Sequence, residues 1–179
     1  ILKLAERTIR EKYSDHQESG NLFLICVGRK GHEYFQKRGY QLIGDYRGAF
    51  DKVSFDTARD VNDAARDGYQ DGRWDEVHIV YNEFKNTITQ NRIVEQMFPV
   101  LPSLYLTPVM ESEMQHLAEE KEGESVDFLF EPDPATILDV LAPRYVRHKI
   151  WRILLESNAS EQGARMVAMD SATTNADDL

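Results

Sequence analysis

The stretch "GRKG", Gly28 to Gly31, follows an apolar run and opens a helical pattern. Backbone N–H groups at such a junction can hold a phosphate, with Arg29 and Lys30 at hand to neutralise it. The spacing does not continue that way. Neither G-x-G-x-x-G nor G-x-x-x-x-G-K-[ST] occurs. A tight turn with solvated Arg29 and Lys30 accounts for the residues. The five histidines, His16, His32, His78, His116 and His148, show no ligand spacing. The acidic runs "ESE" at 111–113 and "EEKEGE" at 119–124 read as solvated surface. Cys26 stands alone within "NLFLICVG" and reads as a small buried hydrophobe rather than a nucleophile. No G-x-S-x-G elbow and no Ser-His-Asp arrangement can be read. The expectation is a chain with no catalytic residues, no cofactor and no metal.

Composition narrows the remaining classes. The chain has 179 residues with 31 acidic and 21 basic side chains, a net charge of −10. That balance opposes binding to a phosphate backbone, which needs lysine and arginine to release counterions. The apolar fraction of 41% is ordinary for a globular domain. No apolar run reaches membrane-spanning length. A single cysteine excludes an intrachain disulfide and fits a reducing compartment.

The elements that would carry any site follow from periodicity. Residues 2–14 have helical spacing, with Leu2, Leu4, Ala5, Ile9 and Tyr13 on one side, and "SDHQESGN" reads as a loop. Leu22 to Val27 is a continuous apolar run, the mark of a strand buried on both faces. "GRKG" then turns, "HEYFQKR" is a short helix stopped by Gly39, and "YQLIGDY" is a second strand. Ser54 caps an amphipathic helix whose apolar face is Phe55, Ala58, Val61, Ala65 and Tyr69, ending near Gly72. "DEVHIVYNEF" is a third strand, and a turn at Lys85-Asn86-Thr87 sends "ITQNRIVEQMFPV" back antiparallel to it. Residues 110–125 read as an acidic surface loop, and Val126 to Phe130 as a last strand. The alternation of strand and helix predicts an α/β fold, a Rossmann-like three-layer domain with a mostly parallel sheet over residues 1–132. Residues 133–179 form a long projecting C-terminal helix. Asp133 is its N-cap and Pro134 its first residue, and Pro143 is expected to kink or break it.

That last helix has an unusual side. Ile153, Ser157, Ser160, Ala164, Val167, Ser171 and Thr174 recur at steps of 4 and 3, a coiled-coil spacing with small or polar residues at most positions. Gly163 inside it costs up to about 1 kcal/mol relative to Ala. The first half suits a helix lying on a sheet, through Val146, Ile150, Ile153 and Leu154. The second half suits a helix that leaves the domain to meet a second one. Met166, Val167 and Met169 are then expected to lie exposed.

The closing stretch "SNASEQGARMVAMDSATTNADDL" closely resembles the C-terminal signature of the gamma subunit of the F-type ATP synthase. "VGRKG", "DEVHIVYNEFKNTITQ" and "FEPDPATILDVLAPRYV" are similar to that family in the same order. Gly163 departs from the alanine usual there. The family's N-terminal long helix, its first strand and the remainder of its C-terminal helix are not represented, so the chain reads as the middle of a gamma subunit. The resemblance implies a non-catalytic central-stalk rotor, whose terminal helices form an antiparallel coiled coil inside a hexamer of alpha and beta subunits. It implies further contacts with the epsilon subunit and the membrane c-ring, and coupling of proton flow to ATP synthesis by rotation. It implies no direct membrane span and no nucleic acid. Candidate rotor–stator contacts are Ser160, Glu161, Gln162, Arg165 and Met169, and leucine at Ser160 and Ala164 is expected to slow turnover without abolishing assembly. The lone Cys26 does not fit the chloroplast type, which carries a cysteine pair. The expected location is the cytoplasmic side of a bacterial plasma membrane, as a peripheral protein. The competing possibility is a Rossmann-like nucleotide-binding or enzyme domain, supported by "GRKG" and the strand–helix alternation.

Overall fold

A computed structural model describes residues 1–87, 89–100 and 131–177. The acidic loop expected at 110–125 and the strand expected at 126–130 lie outside the described residues.

The chain begins with α1, Leu2–Lys12, which buries Ile9. Tyr13 leaves helical geometry at φ −133°, and α2, Ser14–Glu18, follows where a loop was expected. Its five residues are all polar, so no apolar periodicity announces it. The Ser19 hydroxyl and backbone N–H both donate to the Asp15 carbonyl, at 2.8 and 3.0 Å, and close the short turn.

A small parallel pair comes next. β1, Phe23–Leu24, pairs with β2, Gln41–Leu42, and one isolated parallel bridge joins Val27 to Tyr46. The connecting helix α3, Arg29–Gln36, starts earlier than expected. "GRK" is therefore not a free turn. Gly28 is the N-cap with φ +102°, a conformation that glycine adopts without a Cβ clash. Its N–H donates to the Tyr46 carbonyl at 3.0 Å, tying the loop to the second strand region.

The helix α4, Phe55–Gln70, forms as its pattern predicts. The Ser54 hydroxyl accepts from the Thr57 N–H at 3.3 Å, and Gly72 turns the chain at φ +68° just beyond the end. Ala58, Val61 and Ala65 are buried. The strands β3, Val77–Phe84, and β4, Gln90–Phe98, then pair antiparallel, with Tyr81 opposite Ile93 and Val80 opposite Val94. Among the described residues the strands form two separate two-stranded sheets. Of the mostly parallel sheet that was expected, the described residues show a parallel pairing two residues long, and their long ladder is the antiparallel hairpin. Its short connection favours this, since antiparallel neighbours can be joined by a tight turn and parallel ones cannot.

The last helix, α5, runs Pro134–Asp177. The Asp133 carboxylate accepts from the Thr136 N–H at 3.0 Å, a side-chain N-cap as expected. Helical geometry continues through Pro143 without a break. Residues 139–145 are exposed there, so water can serve the carbonyl that the proline leaves without a partner. The core is one cluster in which Ala58, Val61 and Ala65 of α4 and Met97 and Phe98 of β4 meet Val146, Ile150 and Leu154 of α5. Tyr69 stacks on Phe98 with ring centroids 5.4 Å apart. The α/β elements therefore grip α5 from Val146 onward.

Gly163 lies in the gripped part. A Cβ built there would meet the Phe84 ring at 3.4 Å and the Thr87 Cα at 3.5 Å, ordinary contact distances. Gly163→Ala should therefore raise stability by about 0.5–1 kcal/mol through helix propensity. A rise of roughly 1–4 °C in melting temperature is the expected reading, and a fall would mean that the hairpin turn cannot accommodate even a methyl group.

Candidate functional site

The side chains of α5 divide between two faces. The inner face carries Val146, Ile150, Ile153 and Leu154, all buried, then Ser160 and Gly163, also buried. What covers the small residues is the β3–β4 hairpin of the same chain. Gln90 Nε2 donates to the Ser160 carbonyl at 2.7 Å. The Lys149 ammonium meets the Glu95 carboxylate at 2.5 Å, with both side chains about four-fifths shielded (18% and 20% exposed). The small spacing was expected to admit a second helix. At Ser160 and Gly163 the hairpin takes that place, because a short side chain permits close approach of any backbone, while Ala164, Ser171 and Thr174 are exposed.

Beside the hairpin a cavity of about 370 Å³ is lined by Tyr81, Glu95, Tyr145, His148, Lys149 and Arg152. Its charges are answered within the chain: Lys149 pairs with Glu95, and Arg152 Nε donates to Glu156 at 2.6 Å. Burial first, and the neighbouring carboxylates Glu95 and Glu156 second, push the Tyr81 hydroxyl up to about 12. It stays a neutral phenol through the physiological range. The Lys149–Glu95 pair binds hairpin to helix. Burial likewise pushes the Cys26 thiol up to about 11, which leaves little thiolate near neutral pH. Among the described residues no group of three His, Cys, Asp or Glu side chains converges on a metal-sized site. In the "GRKG" loop the Gly28 N–H is already given to the Tyr46 carbonyl at 3.0 Å, and the Phe50 ring packs against Gly28, 3.1 Å from where a Cβ would stand.

The outer face carries a continuous stripe that the sequence reading passed over. Leu138, Leu141, Tyr145, His148, Arg152, Leu155, Ala159, Gln162, Met166 and Met169 recur at alternating steps of 3 and 4, and all are exposed. Leu138 is 63% exposed, Leu155 43% and Met169 57%, well above what helices facing a core show. From Ala164 to Ala176 only Val167 is even half-buried. Met166 and Met169 thus lie open, as expected for a helix without its partner.

The five candidate contacts separate on these faces. Ser160 is fully buried under the hairpin and points inward. Gln162 and Met169 lie on the outer stripe, and Glu161 and Arg165 are exposed beside it. Arg165 donates to Glu161 at 2.8 Å, one turn apart, with side chains 56% and 48% exposed. Such a pair contributes about 0.3–0.5 kcal/mol. Arg165→Ala should shift the melting temperature of the chain by no more than roughly 2 °C, and a larger drop would reveal a structural role that the exposed pair does not explain.

A sequence model of the family described as ATP synthase matches residues 1–179. The chain belongs to the ATP synthase gamma family. It is 52% identical over 178 residues to the ATP synthase gamma chain of Salinibacter ruber, covering 99% of this chain and 58% of that one. It is 42% identical over 179 residues to the gamma chain of Chlorobaculum tepidum, covering 100% of this chain and 56% of that one. The chain thus spans somewhat more than half the length of these gamma chains. Among solved structures, one from the Tetrahymena thermophila mitochondrial ATP synthase central stalk and c-ring superposes with a TM-score of 0.50 at 24% identity, over 84% of this chain and 60% of that one. That likeness bears on the fold: mixed helix and strand with a long C-terminal helix. No described helix is long and apolar enough to cross a membrane.

Proposed function

We propose that this chain is part of a central-stalk rotor, a non-catalytic gamma subunit that couples proton flow through a membrane c-ring to ATP synthesis in an alpha/beta hexamer. The observation that carries this is the family match along residues 1–179 together with 52% identity to a gamma chain. The partners are then the alpha and beta subunits, the epsilon subunit and the c-ring, on the cytoplasmic side of a bacterial plasma membrane. Residues 1–132 act as the α/β domain, Rossmann-like in its strand–helix alternation, and residues 133–179 as shaft.

The outer stripe of α5 supports the coiled-coil part of this function, in a register different from the small-residue spacing. Leu138, Leu141, Tyr145, Leu155, Met166 and Met169 supply apolar knobs at heptad steps, while Ser160 and Gly163 are occupied by the hairpin. Of the candidate contacts, Glu161, Gln162, Arg165 and Met169 remain open to the catalytic head.

The test is a chimera. The matching stretch of the Salinibacter ruber gamma chain is replaced by residues 1–179, and the product is assembled with the alpha, beta and membrane subunits of that enzyme. ATP hydrolysis and ATP-driven proton pumping should both be retained. An assembled complex that hydrolyses ATP and pumps nothing would overturn the rotor function. Within a pumping chimera, Arg165→Ala should lower coupled ATP synthesis if that residue touches the head.

A further inference from the structure

The hairpin holds α5 at two places. Near its lower end Lys149 Nζ meets Glu95 Oε1 of β4 at 2.5 Å. Near its upper end Gln90 Nε2 donates to the Ser160 carbonyl at 2.7 Å, and the Thr87 Cα comes within 3.5 Å of where a Gly163 Cβ would stand. These ties span Lys149 to Gly163, about 21 Å along the helix axis at 1.5 Å per residue. Within the same span Ile150 and Leu154 are buried in the cluster with α4 and β4, and Ile153 is buried as well. Immediately past Gly163 the burial stops. One boundary thus ends the hydrogen bonds, the close backbone approach and the buried side chains together.

Resting on the rotor function proposed above, we infer that the β3–β4 hairpin is a brace that fixes α5 to the α/β elements as far as Gly163 and stays seated while the assembly turns. The load then enters the free part of the shaft at Gly163. A long side chain such as leucine at the buried Ser160 would hold the turn off the helix. The small residues there are thus explained by contact within the chain. The ion pair and the carbonyl bond resist sliding along the axis, which apolar packing alone resists poorly because it has no direction.

The experiment locks the brace and then loosens it. Thr87→Cys with Gly163→Cys, in a Cys26→Ala background, puts two thiols within reach of a disulfide. In the isolated chain the bond should form on mild oxidation, and failure to form would overturn the seated hairpin whatever the protein does. In the pumping chimera, oxidation should leave proton pumping per ATP hydrolysed unchanged. Loss of pumping on oxidation, regained on reduction, would mean that the hairpin must lift, and the brace is wrong. Gln90→Ala with Lys149→Ala should lower pumping per ATP hydrolysed, and the disulfide should restore it. Full coupling in that double variant would also overturn the brace. A parent chimera that does not pump counts against the rotor function alone, and the disulfide yield still decides the brace.

Discussion

Gly68→Ala should destabilise the chain by about 2–4 kcal/mol, although alanine is the better helix former by up to about 1 kcal/mol. A Cβ at that position would fall 1.8 Å from Cζ2 and 2.1 Å from Cη2 of Trp74, so the indole must leave. It is held on two sides. Trp74 Nε1 donates to the Ala65 carbonyl at 2.9 Å, and the ring lies 5.8 Å from Phe23. Displacing it breaks that bond, exposes aromatic surface and frees the end of α4 from β1. The steric term wins because propensity is a fraction of the packing loss. Chemical denaturation would read the difference, and the tryptophan emission should shift to the red. A variant that melts at or above the parent would show that Trp74 repacks without cost.

Ser160→Leu should cost about 1–3 kcal/mol, while Ala164→Leu, one turn on, should stay within about 0.5 kcal/mol. Ser160 is completely buried and Ala164 is exposed. Leucine at 160 would lift the hairpin and strain the Gln90 bond to the same residue's carbonyl. The sequence reading treated both positions as surface contacts whose enlargement would slow turnover and spare assembly. Ser160→Ala, which removes one oxygen and adds no bulk, is the control and should melt close to the parent. Equal melting of both leucine variants would mean that the hairpin does not sit on α5.

The legible parts were those whose local signals agree with their packing. α4 has a capping serine, helical periodicity and a terminal glycine, and it formed where expected. The hairpin was readable from its alternating strands and short turn. The parallel pair was overestimated, because the apolar run Leu22–Val27 speaks of burial and not of ladder length, and only Phe23 and Leu24 pair with β2. α2 was missed because five polar residues carry no periodicity. On α5 the hairpin covers Ser160 and Gly163, while Ala164, Ser171 and Thr174 stay exposed. Small residues announce close approach by some backbone, and nothing local distinguishes a hairpin from a helix. The outer stripe was passed over because His148, Arg152, Ala159 and Gln162 interrupt its leucines and methionines.

The mostly exposed stretch of α5 from Ala164 to Ala176 has a length at which an isolated peptide helix is marginal in water. It need not nucleate on its own, however. The segment clamped between α4 and the hairpin supplies a preformed first turn, and each further residue adds only a propagation step. Winding is thus seeded at the braced end and propagates toward Met166 and Met169. Past Gly163 the helix is conditional, its order completed by whatever comes to lie along Met166 and Met169.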